Sequence, residues 1–185
     1  MRKDKVVVIL GSISEKSNNK KLADFILERY RDKLDMELMT LEKLPMYNED
    51  LESNLPDIIK KYKNKVRSTD GVIIVTPEYN HSIPGVLKNV IDWFSRGKRA
   101  LANKPVMIAG ASIGVLGTAK AQIHLRQILN AGGVAAITLP GNEVFINNIT
   151  KKLDDKGKLI HQPTIEFLDQ VVDNFIDWMH KINNS

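Results

Sequence analysis

Cysteine is absent from the 185-residue chain. Neither a disulfide framework nor a thiol catalyst is available, so any redox chemistry has to come from a bound cofactor. No apolar run approaches the length of a membrane span, and Met1-Arg2-Lys3-Asp4 leads into strand-like sequence rather than a signal peptide. The expectation is a cytoplasmic protein with no membrane partner. The formal charge of +5 is spread along the chain and lacks interleaved aromatic residues, which argues against nucleic acid as a partner. No pair of histidines has metal-ligand spacing, and the acidic group Glu49, Asp50, Glu52 lacks the alternating oxygen ligands and glycine of a calcium loop. No metal is expected.

With 43% apolar and 26% charged residues, the chain has the composition of a folded globular protein, and its length suits one domain over residues 1–185. Lys5–Leu10 is a β-branched run ended by glycine, the pattern of a strand buried on both faces. Met36–Thr40, Gly71–Thr76, Pro105–Ser112 and Val134–Leu139 are further strands. Helices are expected at Asn19–Lys33 with Ser17 or Asn18 as cap, at Pro56–Thr69, Pro84–Ser95 and Thr118–Ala131, and from Ile165 to Ile182. Such alternation predicts a doubly wound α/β fold, a five-stranded parallel sheet with helices on both faces. Residues 41–55 and 140–163 are expected as surface loops.

The densest basic cluster, Lys60-Lys61-Tyr62-Lys63-Asn64-Lys65, sits among Ile58, Ile59, Tyr62 and Val66 at helical spacing, so its lysines are expected on the wet face of an amphipathic helix. The helix from Pro84 carries Val86, Leu87, Val90, Ile91, Trp93 and Phe94, more apolar surface than one core-facing stripe requires. Part of it is expected to face a second subunit; the other reading is that Trp93 and Phe94 close the domain's own core.

In open parallel sheets, ligands bind beyond the carboxyl ends of the strands. Three segments end there. Gly11-Ser12-Ile13-Ser14-Glu15-Lys16-Ser17-Asn18-Asn19 runs into a helix N-terminus, where unpaired amides and the short side chains of Ser12, Ser17 and Asn19 suit a phosphate. It carries neither the Gly-Lys-Ser/Thr of nucleoside-triphosphate sites nor the three-glycine dinucleotide fingerprint. Thr76-Pro77-Glu78-Tyr79-Asn80-His81-Ser82-Ile83-Pro84-Gly85 offers an aromatic ring and exposed amides to a flat heteroaromatic ligand. Ser112-Ile113-Gly114-Val115-Leu116-Gly117-Thr118 spaces its glycines so that backbone can approach a ligand. Taken singly, each loop is also explained by capping or turn chemistry.

Pro77 to Asn89, followed by Ile91-Asp92-Trp93, resembles the signature of the NADPH-dependent FMN reductase family almost residue for residue. Gly11, Ser12, Ser17 and Asn19, and Ser112, Gly114 and Gly117 with Gln122, His124, Leu125 and Arg126, support the resemblance, which covers nearly the whole chain. It implies a flavodoxin-like fold and NAD(P)H-dependent reduction of FMN, with Ser12, Ser17 and Asn19 at the phosphate and Pro77, Glu78, Tyr79 and Asn80 along the ribityl chain and ring. Ser112 and Gly114 would face the ring, and the amides of Tyr79, Asn80 and His81, beside Ser82, would meet the flavin edge. No side chain need act as acid or base, because the flavin N5 accepts the hydride. The sequence departs from the family at Ser14, where many members carry arginine, and at Lys16, where glycine is common; Lys16 would have to replace the missing charge.

The resemblance further implies a homodimer or homotetramer, with NADPH or NADH as donor and a quinone, azo compound or metal oxyanion as acceptor. Arg96, Lys98 and Arg99 are candidates for a nicotinamide 2′-phosphate, against the alternative of a basic surface turn. Two other functions remain open. One is a flavin reductase that releases reduced FMN to a partner oxygenase. The other is a flavodoxin-type electron carrier, which the sequence pI near 9.3 disfavours because flavodoxins are typically acidic.

Overall fold

The computed structural model describes residues 2–184. Five strands and five helices alternate through most of the chain: β1 (Asp4–Leu10), α1 (Asn18–Arg29), β2 (Leu34–Met39), α2 (Asp57–Arg67), β3 (Gly71–Val75), α3 (Gly85–Phe94), β4 (Pro105–Ala111), α4 (Ala119–Asn130), β5 (Ile137–Thr138) and, after a sixth strand β6 (Val144–Ile146), α5 (Gln162–Asn183). All ladders are parallel, in the order β2-β1-β3-β4-β5. The reversal of strand order between β1 and β3 is the switch point of a flavodoxin-like sheet.

Alternation along the strands builds a core on each face. Val6, Val8 and Leu10 of β1 pack with α1 and α5, together with Ile73 and Val75 of β3 and Met107 and Ala109 of β4. Val7, Ile9, Val72, Ile74, Val106 and Ile108 face the other way, onto α2, α3 and α4. β1, β3 and β4 are therefore apolar at consecutive positions, whereas the edge strand β2 alternates between buried and exposed residues.

Residues 140–163 depart from the expected surface loop. β5 pairs with the start of β4 (Pro105↔Ile137), and β6 pairs with its end (Ala109↔Val144 to Ala111↔Ile146). The fifth sheet position is thus filled by two short pieces, interrupted where Pro140 lacks an N–H and Gly141 turns at φ +60°. Val144, Ile146, Ile149 and Leu159 are all buried.

The expectation for the basic helix also needs correction at one residue. Lys63 of α2 is 5% exposed, and its Nζ donates to the carbonyls of Trp93 (3.1 Å) and Arg96 at the end of α3. A cation at a helix C-terminus is favoured by the unpaired carbonyls there, while burial pushes the Lys63 ammonium below its ordinary pKa.

The apolar surplus of α3 is consumed within the chain: Leu87, Val90, Ile91, Trp93 and Phe94 are all fully buried. Residues 44–47 help to cover it. Asn89 donates to Pro45 O (2.9 Å) and accepts from Tyr47 N (2.7 Å), Trp93 Nε1 donates to Pro45 O (3.0 Å), and the Tyr47 ring meets Trp93 edge-on. Asn89 and Trp93, part of the family-like motif, thus pin the segment after β2.

Candidate active site

Three crossovers leave the carboxyl ends of β1, β3 and β4 side by side, because those strands are adjacent in the sheet. The first carries residues 11–17 into α1. Ser17 is the N-cap, its Oγ accepting from Asn19 N (3.2 Å) and Lys20 N (3.3 Å), and Ser12 Oγ accepts from Ser14 N (3.3 Å). Ser12 and Ser17 are buried, so these hydroxyls shape the loop. The exposed donors are main-chain amides: among the described residues, those of Ile13, Glu15 and Lys16, and of Asn18 at the first helical position, have no protein acceptor. Free amides clustered at a helix N-terminus form an anion cradle. Lys16 is exposed above it with no ion-pair partner among the described residues, while Lys20 is paired with Asp24.

In the second crossover, Tyr79 and Ser82 exchange backbone bonds of 2.9 and 3.0 Å around Asn80 (φ +51°) and His81 (φ +66°). Two positive φ values in sequence define a type I′ turn, and asparagine and histidine enter the left-handed region more readily than most non-glycine residues. The amides of Asn80 and His81 take no protein acceptor, and both residues are exposed, as is the Tyr79 ring. Ser82 Oγ lies 2.8 Å from His124 Nδ1, which joins this turn to α4. Pro77 is buried at the base of the loop.

The third crossover is held against β6. Ser112 N donates to Ile146 O (2.9 Å), Ile149 N to Ser112 O (3.1 Å), and Gly114 N to Ser112 Oγ (3.0 Å). Gly117 needs to be glycine twice over: its φ is +57°, and a Cβ there would stand 2.6 Å from the carbonyl carbon of Phe145. Gly11 is also tightly packed, a Cβ there meeting Leu87 and Thr76 at 3.1 Å. Gly114 is exposed and free of such crowding, so its backbone is approachable by a ligand. Around it Ile113, Val115 and Leu116 are exposed, an apolar rim beside the polar cradle.

The structure brings the residues singled out in sequence to one sheet edge but redistributes their work. Asn19 turns its side chain to both backbone groups of Ala111 in β4, and Glu78 accepts from Ala121 N of α4 through one carboxylate oxygen. Those backbone partners carry no side-chain signal and were invisible in sequence. Arg96 and Arg99 lie past the end of α3, which has run about 15 Å back along the sheet from the active edge. There Arg96 pairs with Glu52 (3.3 Å) and stacks over Tyr47, and Arg99 donates to Gly132 O. Both guanidinium groups thus have partners within the chain. A cavity of about 310 Å3 at the first loop is lined by Ser12, Ile13, Ser14, Lys20 and Thr40 together with Glu15 and Glu42. Among the described residues no cluster of acidic groups or histidines could hold a metal ion, and no helix is long and apolar enough to cross a membrane.

A family model described as NADPH-dependent FMN reductase matches residues 5–151. NADH:(hydroxy)cinnamate reductase subunit CrdA of Vibrio ruber is 37% identical over 170 residues, covering 92% of this chain and 84% of its own. The 2-hydroxy-1,4-benzoquinone reductase of a Burkholderia species is 34% identical, covering 95% and 96%. The structure of FerB, a flavoenzyme NAD(P)H:(acceptor) oxidoreductase from Paracoccus denitrificans, superposes with a TM-score of 0.86 at 32% identity, covering 96% and 98%. The chain belongs to the NADPH-dependent FMN reductase family and is an NAD(P)H-dependent oxidoreductase that works through FMN.

Proposed function

We propose that the chain holds FMN across its three loops and delivers reducing equivalents to a flat, partly apolar acceptor of the quinone class. The observation that carries this reading is the pair of amides without a protein acceptor among the described residues, at the exposed residues Asn80 and His81, on the same sheet edge as the free amides of residues 13–18. Neutral donors of this kind fit both ends of a phosphorylated flavin: the cradle suits a dianion, and the type I′ turn suits the hydrogen-bonding edge of a heteroaromatic ring.

When bound, FMN supplies the redox chemistry, accepting a hydride from the nicotinamide and passing electrons on to the acceptor. The chain's part is alignment. The first loop anchors the phosphate through its amides, with Lys16 supplying the charge that Ser14 does not. The Asn80 and His81 amides stabilise negative charge at the ring edge, and their donor positions are preset by the turn. Tyr79, Ile113, Val115 and Leu116 form an apolar rim that shields the reacting face from water and favours quinones over hydrated metal oxyanions. The Burkholderia relative's name, and that of a 36% identical quinone reductase from Escherichia coli, support this class of acceptor.

With α3 buried in its own core, the apolar rim and Ile123 of α4 become the surface on which a second copy packs, giving a homodimer or a tetramer of dimers. The chain acts as one domain, in the cytoplasm, where NAD(P)H is held. The visible spectrum of the purified protein before and after anaerobic addition of NADPH or NADH tests the function. Yellow protein that bleaches and is recoloured by a benzoquinone supports it. Colourless protein that reduces added FMN identifies a reductase of diffusing flavin, and yellow protein inert to both nicotinamides identifies a carrier.

A further inference from the structure

We propose that Asn19 is a positioning residue that sets the distance between the phosphate loop and the ring loop, and that it makes no contact with the phosphate itself. The inference rests on the FMN reading above but departs from the role that the family resemblance implies for this residue. Asn19 Nδ2 donates to Ala111 O at 2.9 Å, and Asn19 Oδ1 accepts from Ala111 N at 2.8 Å, a closed reciprocal pair between positions 92 residues apart. The side chain is only 2% exposed, and the Asn19 backbone amide is already bound by Ser17 Oγ. The second Nδ2 hydrogen belongs to a side chain buried against β4, away from solvent.

Its partner explains why the pair matters. Ala111 ends β4, and the next residues are Ser112 and Gly114 of the third loop. Asn19 stands on the second residue of α1, immediately after the cradle amides. One buried amide therefore ties the support of the phosphate to the support of the ring, so its loss shifts the two ends of the flavin site relative to each other.

The test is an FMN titration of Asn19→Ala and Asn19→Asp, read by fluorescence for affinity and by the visible difference spectrum at saturation. Loss of a buried hydrogen-bonded pair is expected to weaken FMN binding about tenfold or more, and the saturated spectrum should differ from that of the wild type because the ring's surroundings have moved. Asn19→Asp keeps the acceptor for Ala111 N but turns an anion toward Ala111 O, so it should behave as Asn19→Ala does. Weaker binding with an unchanged saturated spectrum would mark Asn19 as a phosphate ligand and overturn the proposal, as would unchanged binding.

Should neither variant fold, the wild-type Asn19 side-chain amide can be followed by NMR on addition of inorganic phosphate. The proposal expects the cradle amides to move and the Asn19 side-chain protons to stay; a matching shift of those protons overturns it. Wild-type protein that binds no FMN at all would instead remove the functional reading on which the inference stands.

Discussion

The carboxylate of Glu78 accepts a hydrogen bond from the backbone amide of Ala121 at 3.1 Å. α4 needs this help, since its N-cap residue Thr118 has φ +73° and makes no side-chain cap bond. A residue of the second loop thus caps the helix that follows the third, and the same carboxylate lies 3.6 Å from His81 Nδ1 on the type I′ turn. Loss of the cap in Glu78→Ala should cost about 1 kcal/mol of stability and weaken FMN binding through the loosened turn. Glu78→Gln retains an acceptor oxygen and should keep most of both. Urea unfolding and FMN titration of the two variants, side by side, check this.

Backbone geometry, more than the imidazole, defines the role of His81. Glycine at position 81 keeps φ positive without cost, so His81→Gly should bind FMN nearly as the wild type does. A β-branched side chain there is penalised by about 1–2 kcal/mol, so His81→Val should lose both stability and flavin affinity. Equal affinity of the two variants in fluorescence titrations would contradict a turn-based role.

The glycines separate into those that are crowded and those that are not. A Cβ at Gly110 would lie 2.1 Å from Thr118 Oγ1 and 2.5 Å from the carbonyl oxygen of Thr76, so Gly110→Ala has to displace backbone. Its expected cost is about 2–3 kcal/mol, within the range for overpacking. Gly85, in the first turn of α3, has open space around its Cβ position, and Gly85→Ala should leave stability unchanged or raise it by about 0.5 kcal/mol. Thermal melting of the two variants distinguishes them.

Acid sensitivity should arise partly where α1 meets α5. Arg29 donates two bonds of 2.6 Å to Asp169, and Tyr30 adds a third at 2.9 Å. These bonds, Arg29's foremost, hold the Asp169 carboxyl below its ordinary pKa. A depressed carboxylate contributes stability that is complete above its unfolded pKa of about 3.9 and is lost as pH falls through the lower folded value. The pair is more than a third exposed on the arginine side, so screening limits its worth to about 0.5–1 kcal/mol. Asp169→Asn should therefore be less stable than wild type at neutral pH, with the gap closing below about pH 4. Urea midpoints measured from pH 7 to pH 3 provide the check.

Much of the fold was legible because β1, β3 and β4 are buried on both faces and so appear as unbroken apolar runs. β6 was not legible: three residues between polar neighbours carry no periodic signal, and only pairing with the end of β4 makes Val144-Phe145-Ile146 a strand. Lys63 was misplaced because charge alone assigns a lysine to solvent, whereas the open carbonyls at the end of α3 supply it with a buried partner. The surplus on α3 suggested a second subunit because the segment that covers it, Leu44-Pro45-Met46-Tyr47, is distant in sequence and is brought there by bonds to Asn89 and Trp93.

At the sheet edge where the three loops meet, the residue types marked tight turns with free amides, since serine, asparagine and glycine before a helix already imply them. Sequence by itself determined the strand–helix alternation, the three loops at one sheet edge and the family, all properties of local pattern. Tertiary structure decided which groups remain available. Asn19 and Glu78 bond to backbone groups 92 and 43 residues away, and their side chains thereby hold the loops together. Which partner a donor or acceptor finds depends on distances in space that no linear pattern contains.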